Sequence, residues 1–388
     1  MEVSHIMFAL LRFEINRTEL CDEVKNLITP EALPALFKLS KKHDLAHLVG
    51  DALDKNGLLP DGSEAKKRFL QERTMAVYRY EQLQYELDEI CAVLEEAKIP
   101  FLPLKGSVIR GYYPEPWMRT SCDIDILVKE EVLETAAKYL CEKLEYERGD
   151  FSSHDISLNA PSGVHLELHY NLIEEYISVE NEKVLERAWD ILSNKKDAPY
   201  CREMSDELFY FYHIAHAAKH FKNGGCGVRP FLDDWILNNK AKGFIELRKE
   251  LLRDGKLMGF AEAFQALSEC WFSNKESDDL MKEMESYILY GGVYGNMENQ
   301  VAVQQVKNGS KFRYLLSRIF LSHDLIITQY PILKKHKWLM PFCQVCRWGR
   351  LIFKGGARNA KYELTVSANI SKDKKDTVEG LLQSLELL

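Results

Sequence analysis

Residues 104–128 read LKGSVIRGYYPEPWMRTSCDIDILV and combine a small-residue turn with an acidic strand. Gly106 and Ser107 form the turn, and the run Asp-Ile-Asp-Ile-Leu-Val has the alternation typical of a β-strand. Successive side chains of a strand point to opposite faces, so Asp123 and Asp125 share one face while Ile124 lies on the other. The stretch therefore predicts two carboxylates on one sheet face, close to a turn without bulky side chains.

Two carboxylates on one strand face favour a bound cation. They do not both ionise easily unless a cation lies between them, and Mg²⁺ binds one or two carboxylates together with substrate phosphate oxygens. A third acid, Glu167, lies in the alternating run Val-His-Leu-Glu-Leu-His-Tyr, with His165 and His169 on its face. Three acids on neighbouring strands beside a Gly-Ser turn suit two-metal phosphoryl transfer. We therefore predict a nucleotidyl-transfer site in which Asp123, Asp125 and Glu167 are catalytic and bind two Mg²⁺ ions, with Mn²⁺ as the alternative ion.

This motif resembles that of the nucleotidyltransferase superfamily that includes DNA polymerase beta, the minimal nucleotidyltransferases and the aminoglycoside nucleotidyltransferases. The superfamily pattern is Gly followed by Gly or Ser, a spacer, Asp-apolar-Asp, and later one carboxylate between apolar residues. Gly106 and Ser107 match its first part, Asp123 and Asp125 its second, and Glu167 its third. The resemblance implies a nucleoside triphosphate as substrate, with its phosphates on the Gly-Ser turn.

A narrower resemblance is to a poorly characterised bacterial group of nucleotidyltransferases within that superfamily. It is carried by Leu104-Lys105-Gly106, Tyr113-Pro114, Arg119 and Asp-Ile-Asp, and the similar stretch spans about residues 100–170. Fifteen residues separate Ser107 from Asp123, more than is usual in the minimal enzymes. The added segment is expected to reshape the substrate side of the site.

Four further residues near the motif are candidates for substrate binding. Lys105 can neutralise phosphate charge or be a solvated lysine at a strand end, and Ser107 can contact phosphate or cap a helix. Arg119 can bind phosphate or order its loop by pairing with Asp123 or Asp125. His169 is expected to lie beside the site as a hydrogen-bonding neighbour.

A histidine-rich helix is predicted farther along the chain. His213, His216 and His220 follow one another at spacings of three and four, which places them on one helix face. The face can close over the substrate together with Asp233, or it can be an ordinary packing face. Similar helices followed by an Arg and an Asp occur in the bacterial group, so His216, His220 and Asp233 are binding candidates.

The order of predicted elements indicates an α+β protein with a small mixed sheet. Residues 1–98 are predicted to form a helical module, residues 99–178 the nucleotidyltransferase core, and residues 179–388 a second helical module. Within the core, residues 146–159 and 164–170 are predicted to pair as a hairpin around Pro161-Ser162-Gly163.

The amino-acid composition indicates which binding partners and which cellular compartment to expect for this protein. A net charge of −8 gives no sign of a polynucleotide substrate, and the apolar run near the N-terminus is too short to span a membrane. Nine scattered cysteines fit a reducing cytoplasm better than a disulfide framework. The expected partners are a nucleoside triphosphate and a small-molecule or protein acceptor, with no membrane.

Four other functions remain open from the sequence. The same site can transfer a different phosphoryl group, as a kinase does, or adenylylate a protein. A non-enzymatic nucleotide-binding or regulatory module is the third alternative. A Zn-dependent hydrolase using His165, Glu167, His169 and the helix histidines is the fourth. The sequence does not name the acceptor, because one fold serves many chemistries.

Overall fold

Helices fill the N-terminal part of the chain, as the apolar spacing predicts. The structure, a computed structural model, describes residues 2–151, 155–172, 178–240, 245–273, 275–293, 295–353 and 357–388. The N-terminal helices are α1 (Glu2–Asn16), α2 (Asp22–Leu27), α3 (Leu33–Lys42), α4 (Ala46–Lys55) and α5 (Glu64–Glu96). Ser63 caps α5 by accepting a hydrogen bond from the Lys66 backbone N–H at 3.1 Å. The helix ends shortly before Pro100, which cannot continue it.

Seven strands in the described part of the chain form one mixed sheet with the order β3-β4-β5-β2-β1-β7-β6. They are β1 (Phe101–Pro103), β2 (Asp123–Val128), β3 (Glu147–Phe151), β4 (Asp155–Asn159), β5 (His165–His169), β6 (Ser193–Lys195) and β7 (Ala198–Glu203). Strand β2 runs antiparallel to β1 and parallel to β5, and β4 pairs with β5 in antiparallel fashion. The α+β class predicted from the sequence is confirmed.

The apolar face of β2 packs into the main core of the sheet. Ile124 and Ile126 are fully buried in a cluster with Leu166 and Leu168 of β5 and Ile90 of α5. Burial of each such side chain is worth about 1.5–3 kcal/mol, and a one-residue slip of the strand would move these side chains to the other face. The core therefore fixes which face carries the acids.

Helices before and after the strands complete the first of two compact units, which comprises residues 1–219 and 227–282. These helices are α6 (Gly106–Ile109), α7 (Leu133–Leu144), α8 (Val179–Glu186), α9 (Ala188–Ile191), most of α10 (Asp206–Lys222), α11 (Arg229–Lys240), α12 (Ile245–Asp254) and α13 (Met258–Ser273). Helix α7 lies against the same sheet face as α5, where Leu133, Ala137 and Leu140 are buried.

The second compact unit comprises residues 220–226 and 283–388 and is helical in its described part. Its helices are most of α14 (Asp279–Gly291), then α15 (Met297–Lys307), α16 (Lys311–Ile319), α17 (His323–Gln329), α18 (Met340–Phe353), α19 (Ala357–Asn369) and α20 (Lys372–Ser384). Gly295, at φ +70°, lies so close to Gly224 that a Cβ there would collide with the Gly224 carbonyl. None of the helices in the described ranges is long and apolar enough to cross a membrane.

Two parts of the sheet differ from the sequence-based expectation. The run 146–159, expected as one arm of a hairpin, is divided into β3 and β4, and residues 152–154 between them lie outside the described residues. The expectation of helices from about residue 180 onward is wrong for β6 and β7. These strands are short, β6 is exposed, and they turn at Asp197 with φ +65°. Strand β7 joins the sheet through pairing of Cys201 with Phe101, a contact that no local pattern encodes.

A buried ion pair joins the segment before β2 to α11. Arg119 contacts both carboxylate oxygens of Asp233, Nε to Oδ1 at 2.7 Å and Nη2 to Oδ2 at 2.8 Å. The Tyr113 hydroxyl donates to Asp233 Oδ1 at 2.6 Å. Burial raises the pKa of Asp233, but the Arg119 charge and the hydrogen bonds from Arg119 and Tyr113 act together to hold that pKa below its ordinary value. The pair fixes the segment that leads into the acidic strand.

We predict that Asp233→Asn destabilises the protein by about 3–5 kcal/mol at neutral pH, because it leaves the Arg119 guanidinium buried without its counter-charge. Urea unfolding of the wild type and the variant measures this cost. Asp234→Asn, at the next and equally buried position, is the matched control. If the two substitutions lower the free energy of unfolding equally, the ion pair with Arg119 does not contribute to stability beyond burial of the side chain.

The neighbouring Asp234 has the opposite electrostatics. Tyr210 Oη and Asn238 Nδ2 both donate to its Oδ1, at 3.0 and 3.1 Å, while its buried Oδ2 has no hydrogen-bond partner. Burial raises the pKa of Asp234 from 3.8 to about 7. Between those two values the unfolded chain has lost this proton and the folded chain keeps it. Ionisation of Asp234 therefore lowers stability as the pH rises.

We predict that Asp234→Asn removes the part of the stability loss that develops between pH 4 and about 7, the interval set by that raised pKa. The free energy of unfolding, measured in urea across that interval, is expected to become flatter in the variant than in the wild type. An unchanged pH profile would mean that Asp234 is ionised in the folded protein throughout.

Candidate active site

The register between β2 and β5 brings the predicted acids together. The two strands are parallel, with Asp125 opposite Glu167, Asp123 opposite His165, and Leu127 opposite His169. Side chains directly opposite each other on one face of neighbouring strands are close enough to interact. Asp125 and Glu167, forty-two positions apart, thus become neighbours.

Asp125, Glu167 and His169 form a cluster whose ligand atoms all lie within 4.8 Å of one another. His169 Nε2 is 2.8 Å from Asp125 Oδ1 and 3.3 Å from Glu167 Oε2. Asp125 and His169 are buried, and Glu167 is half-buried. Two carboxylates and one imidazole are a donor set that divalent metals such as Mn²⁺ or Zn²⁺ accept. The cluster includes His169, which the sequence suggested only as a neighbour, while Asp123 lies outside these three.

Lys105 supplies a positive charge to this cluster. Its Nζ lies 2.8 Å from Asp125 Oδ1. Burial raises the pKa of Asp125, but the Lys105 charge and the hydrogen bond from His169 together hold it well below its ordinary value. A hydrogen bond from His169 likewise lowers the pKa of Glu167. Both carboxylates are therefore held in the ionised form that a metal requires.

The neighbouring carboxylates help to raise the pKa of both Asp123 and His169. Burial, then the charges of Asp125 and Glu167, raise the pKa of Asp123. Burial lowers the pKa of His169, but its hydrogen bonds with Asp125 and Glu167 outweigh burial and raise it. An added cation would relieve the repulsion that Asp123 experiences.

The Gly-Ser turn is held by contacts that require a glycine. A Cβ on Gly106 would lie 3.0 Å from the Ser121 Cβ, and Arg110 donates to the Gly106 carbonyl at 2.8 Å and to Ser121 Oγ at 2.7 Å. Helix α6 is a single turn, and a 3₁₀ turn, Arg110–Tyr112, follows it directly. The Ser107 backbone N–H donates to the Leu104 carbonyl at 3.1 Å. Because this N–H already has an acceptor, the Ser107 hydroxyl is better placed than the Ser107 N–H to bind a phosphate oxygen.

Lys105 has an unusual backbone conformation, with φ +45° and ψ −118°. Such a conformation in a residue other than glycine costs on the order of 1–3 kcal/mol and persists only where surrounding contacts enforce it. Here the Val108 and Ile109 N–H groups donate to the Lys105 carbonyl, and the Leu104 N–H donates to the Asp125 carbonyl. These bonds hold the turn beside β2.

Arg119 and Asp233 do not have the contacts expected from the sequence. Arg119 was expected to bind phosphate or to pair with Asp123 or Asp125, yet it pairs with Asp233. The Asp233 carboxylate is in turn occupied by Arg119 and Tyr113. In this structure both residues position the segment before β2.

One face of α10 is close enough to the acids for their charges to affect its side chains. Burial, together with the charges of Asp125 and Glu167, raises the pKa of Tyr212 to about 12. Burial and then the Lys105 charge lower the pKa of Lys219 to about 8. Tyr212 and Lys219 are seven residues apart and so share a helix face. Tyr212 is not among the site residues predicted from the sequence, although this spacing could have revealed it.

The three histidines that were predicted to share one face of α10 have different surroundings. His216 lies between Tyr212 and Lys219 in the sequence. The centroid of its ring is 6.3 Å from the centroid of the Tyr212 ring. His213 Nε2 is 3.0 Å from the Pro230 carbonyl, so this ring contacts α11. His220 belongs to the second compact unit. His165 contacts Asn159 Oδ1 at 3.1 Å and is 3.9 Å from Glu167.

A cavity of about 520 Å³ opens beside the turn, with Ser107 and Tyr112 in its wall. Its apolar surface comes from β1, α5, β7 and α10, and its polar lining includes the carboxylates of Asp88, Glu203 and Asp206. The Tyr112 hydroxyl donates to Asp206 at 3.1 Å. The volume is within the range of small-molecule sites.

Comparison with known families agrees with this arrangement. A family model described as an uncharacterised nucleotidyltransferase matches residues 29–272, which is well over half of the 388 residues. The chain belongs to this nucleotidyltransferase family. Comparisons with curated proteins and with solved structures find no match. Membership supports a nucleotidyl-transfer function, and the matched range contains every predicted site residue of this nucleotidyltransferase.

We predict that Gly106→Ala destabilises the nucleotidyltransferase by about 1–3 kcal/mol, because the new methyl group must displace Ser121. Gly111→Ala is the matched control, since nothing lies within 4 Å of its Cβ position. Chemical denaturation of both variants measures the difference. Equal stability of the two variants would contradict the close packing of the turn.

Proposed function

We propose that this nucleotidyltransferase moves a nucleoside monophosphate from a nucleoside triphosphate to a hydroxyl group of an acceptor, in a reaction that needs a divalent metal. The observation that carries the proposal is the register of β2 and β5, which sets Asp125 against Glu167. The Gly106-Ser107 turn follows β1, the strand on the other side of β2. Acids and turn are thus close, as transfer from a triphosphate requires.

The residues present fit a divalent ion. Asp125 and Glu167 would hold it together with His169, and Asp123, whose pKa is raised in the absence of a cation, would complete the set predicted from the sequence. A bound ion supplies a Lewis acid that stabilises phosphoryl charge and lowers the pKa of an attacking hydroxyl. The imidazole of His169 makes Mn²⁺ a strong candidate beside Mg²⁺.

The remaining residues of the site would bind and orient the substrate. The Lys105 ammonium keeps Asp125 ionised and adds positive charge near the place where phosphates would lie. The Ser107 hydroxyl would accept or donate a hydrogen bond at a phosphate oxygen. Lys219 on α10 brings a second cation towards the acids, and Tyr212 limits the access of water. Fixed charges in a partly buried site stabilise developing charge without reorganisation.

The cavity beside Ser107 offers room for a substrate group that extends from the turn, and none of the three acids lines it. Its wall has both an apolar surface and carboxylates that accept hydrogen bonds from hydroxyl or amino groups. We propose that either the nucleoside or a small acceptor occupies it. Kinase-like transfer would use the same acids with attack on the γ-phosphorus. Protein adenylylation would use them with attack on the α-phosphorus by a hydroxyl group of a protein.

A Zn-dependent hydrolase is the second candidate, favoured by the single imidazole in the cluster. It is weaker than the first, because His165 is directed to Asn159 and only His169 converges with Glu167 and Asp125. Metal analysis of the purified protein separates the candidates.

We predict that wild-type protein binds a nucleoside triphosphate only with Mg²⁺ or Mn²⁺, and that Asp125→Asn and Glu167→Gln abolish this metal-dependent binding and lower transfer at least about a hundredfold. Calorimetry with ATP, GTP, CTP and UTP measures binding. Transfer is followed with triphosphates labelled on the α- or the γ-phosphate, since only α-label reaches the acceptor in nucleotidyl transfer.

The control experiments distinguish a variant that has lost activity from a variant that no longer folds. Glu131→Gln removes an exposed carboxylate shortly after β2 and is expected to behave as wild type. Thermal unfolding checks that Asp125→Asn, which leaves Lys105 without its carboxylate, remains folded. If Glu167→Gln binds nucleotide with the same metal dependence as wild type, the proposed site is wrong. Transfer of the γ-label alone would show that the protein is a kinase and not a nucleotidyltransferase.

A further inference from the structure

Residues 311–350 differ in charge from the rest of the chain. They contain eight lysines and arginines and one acid, Asp324, although the whole protein has a net charge of −8. The segment includes α16, α17 and most of α18, all in the second compact unit. It is therefore a basic region within an acidic protein.

Helix α16 exposes an apolar stripe. Phe312, Leu316 and Ile319 are spaced four and three residues apart and are 68, 40 and 45 % exposed. Tyr314, on the other side of the helix, is buried. The exposed stripe thus lacks a partner among the described residues of its own unit.

A second apolar stripe runs along α18 and the turn before it. Trp338, Phe342 and Val345 have the same spacing and are 70, 67 and 59 % exposed. The opposite side of α18 packs inward through Cys343 and Gln344. The rings of Trp338 and Phe342 are thus exposed to solvent.

The two stripes belong to one surface. Trp348 Nε1 donates to the Ile319 carbonyl at 2.9 Å, and the rings of Trp348 and Phe320 are 5.5 Å apart. Trp348 lies one helical turn after Val345, so it links the end of α16 to the exposed face of α18. We call this the basic apolar surface, defined by Phe312, Leu316, Ile319, Phe320, Trp338, Phe342 and Val345 and the lysines below.

Lys334, Lys335 and Lys337 border this surface. All three are exposed, and in the described part of the chain no carboxylate pairs with any of them. Elsewhere exposed lysines such as Lys138 and Lys256 lie beside acids. Uncompensated positive charge next to exposed tryptophan, phenylalanine and aliphatic side chains matches the composition of interfacial membrane-binding helices.

We propose that the basic apolar surface docks the protein on an anionic lipid bilayer, with the apolar side chains in the interface and the lysines at the headgroups. This is peripheral binding and needs no spanning helix. Exposed Leu316, Ile319 and Val345 favour lipid over nucleic acid, because aliphatic chains offer bases no stacking face. A second copy docked through the same surface would bring two positive surfaces together.

The test is flotation of the full-length protein with vesicles of phosphatidylcholine alone, or with about 30 % phosphatidylglycerol to give a negative surface. Binding is expected only to the anionic vesicles and is expected to weaken with added salt. Neutralising the three lysines with Lys334→Gln, Lys335→Gln and Lys337→Gln is expected to lower binding by on the order of a hundredfold, since each lysine contributes about fivefold. Phe342→Ser with Val345→Ser is expected to abolish flotation at any salt concentration.

Matched substitutions control for exposure alone. Tyr78→Ser with Tyr85→Ser removes two apolar side chains of α5 that are 60 and 64 % exposed, and is expected to leave flotation unchanged. Circular dichroism confirms that each variant is folded. Failure of folded wild-type protein to float with anionic vesicles would overturn the proposal. Binding to a single-stranded oligonucleotide that depends on these residues, or dimerisation through them, without vesicle binding would assign the surface to those partners instead.

Discussion

The parallel pairing of β2 with β5 is the contact on which the rest of the site depends. It places Asp125 opposite Glu167 on one face, while Ile124 and Ile126 enter the core on the other. Because the side-chain period of a strand is two, one hydrophobic constraint fixes both faces together. The packing that stabilises the sheet therefore also holds two carboxylates close to each other, although their charges repel.

The protein offsets this repulsion with hydrogen-bond donors and the charge of Lys105. Lys105 and His169 both contact Asp125, and His169 also contacts Glu167. A buried charge is costly unless it is paired, so the ammonium and the imidazole allow the carboxylates to remain ionised. Lys105 reaches this position from a strained backbone, which the hydrogen bonds of the turn enforce. The strained backbone of Lys105 thus accompanies the ion pair that its ammonium group forms with Asp125.

A second set of buried charges keeps the approach to β2 in place. Arg119 pairs with Asp233, and Arg229 contacts Asp44 at 2.8 Å, so two residues of the α11 N-terminal turn bind the segments before β2 and before α4. These contacts explain why polar residues that appeared to be substrate ligands in the sequence are instead satisfied within the protein. The added residues between the turn and β2, including Tyr113, contribute to this support.

The sequence by itself determined the α+β class, the acidic strand and its polar face, and the carboxylates Asp125 and Glu167, because strand alternation and small-residue turns are local properties. It did not determine the partner of Arg119, the division of 146–159 into β3 and β4, or the pairing of β7 with β1. It also left His169 and Tyr212 without a settled place near the acids. These features depend on which segments distant in sequence pack together, and only the tertiary structure decided them, since burial and ion pairing act between residues that no local pattern connects.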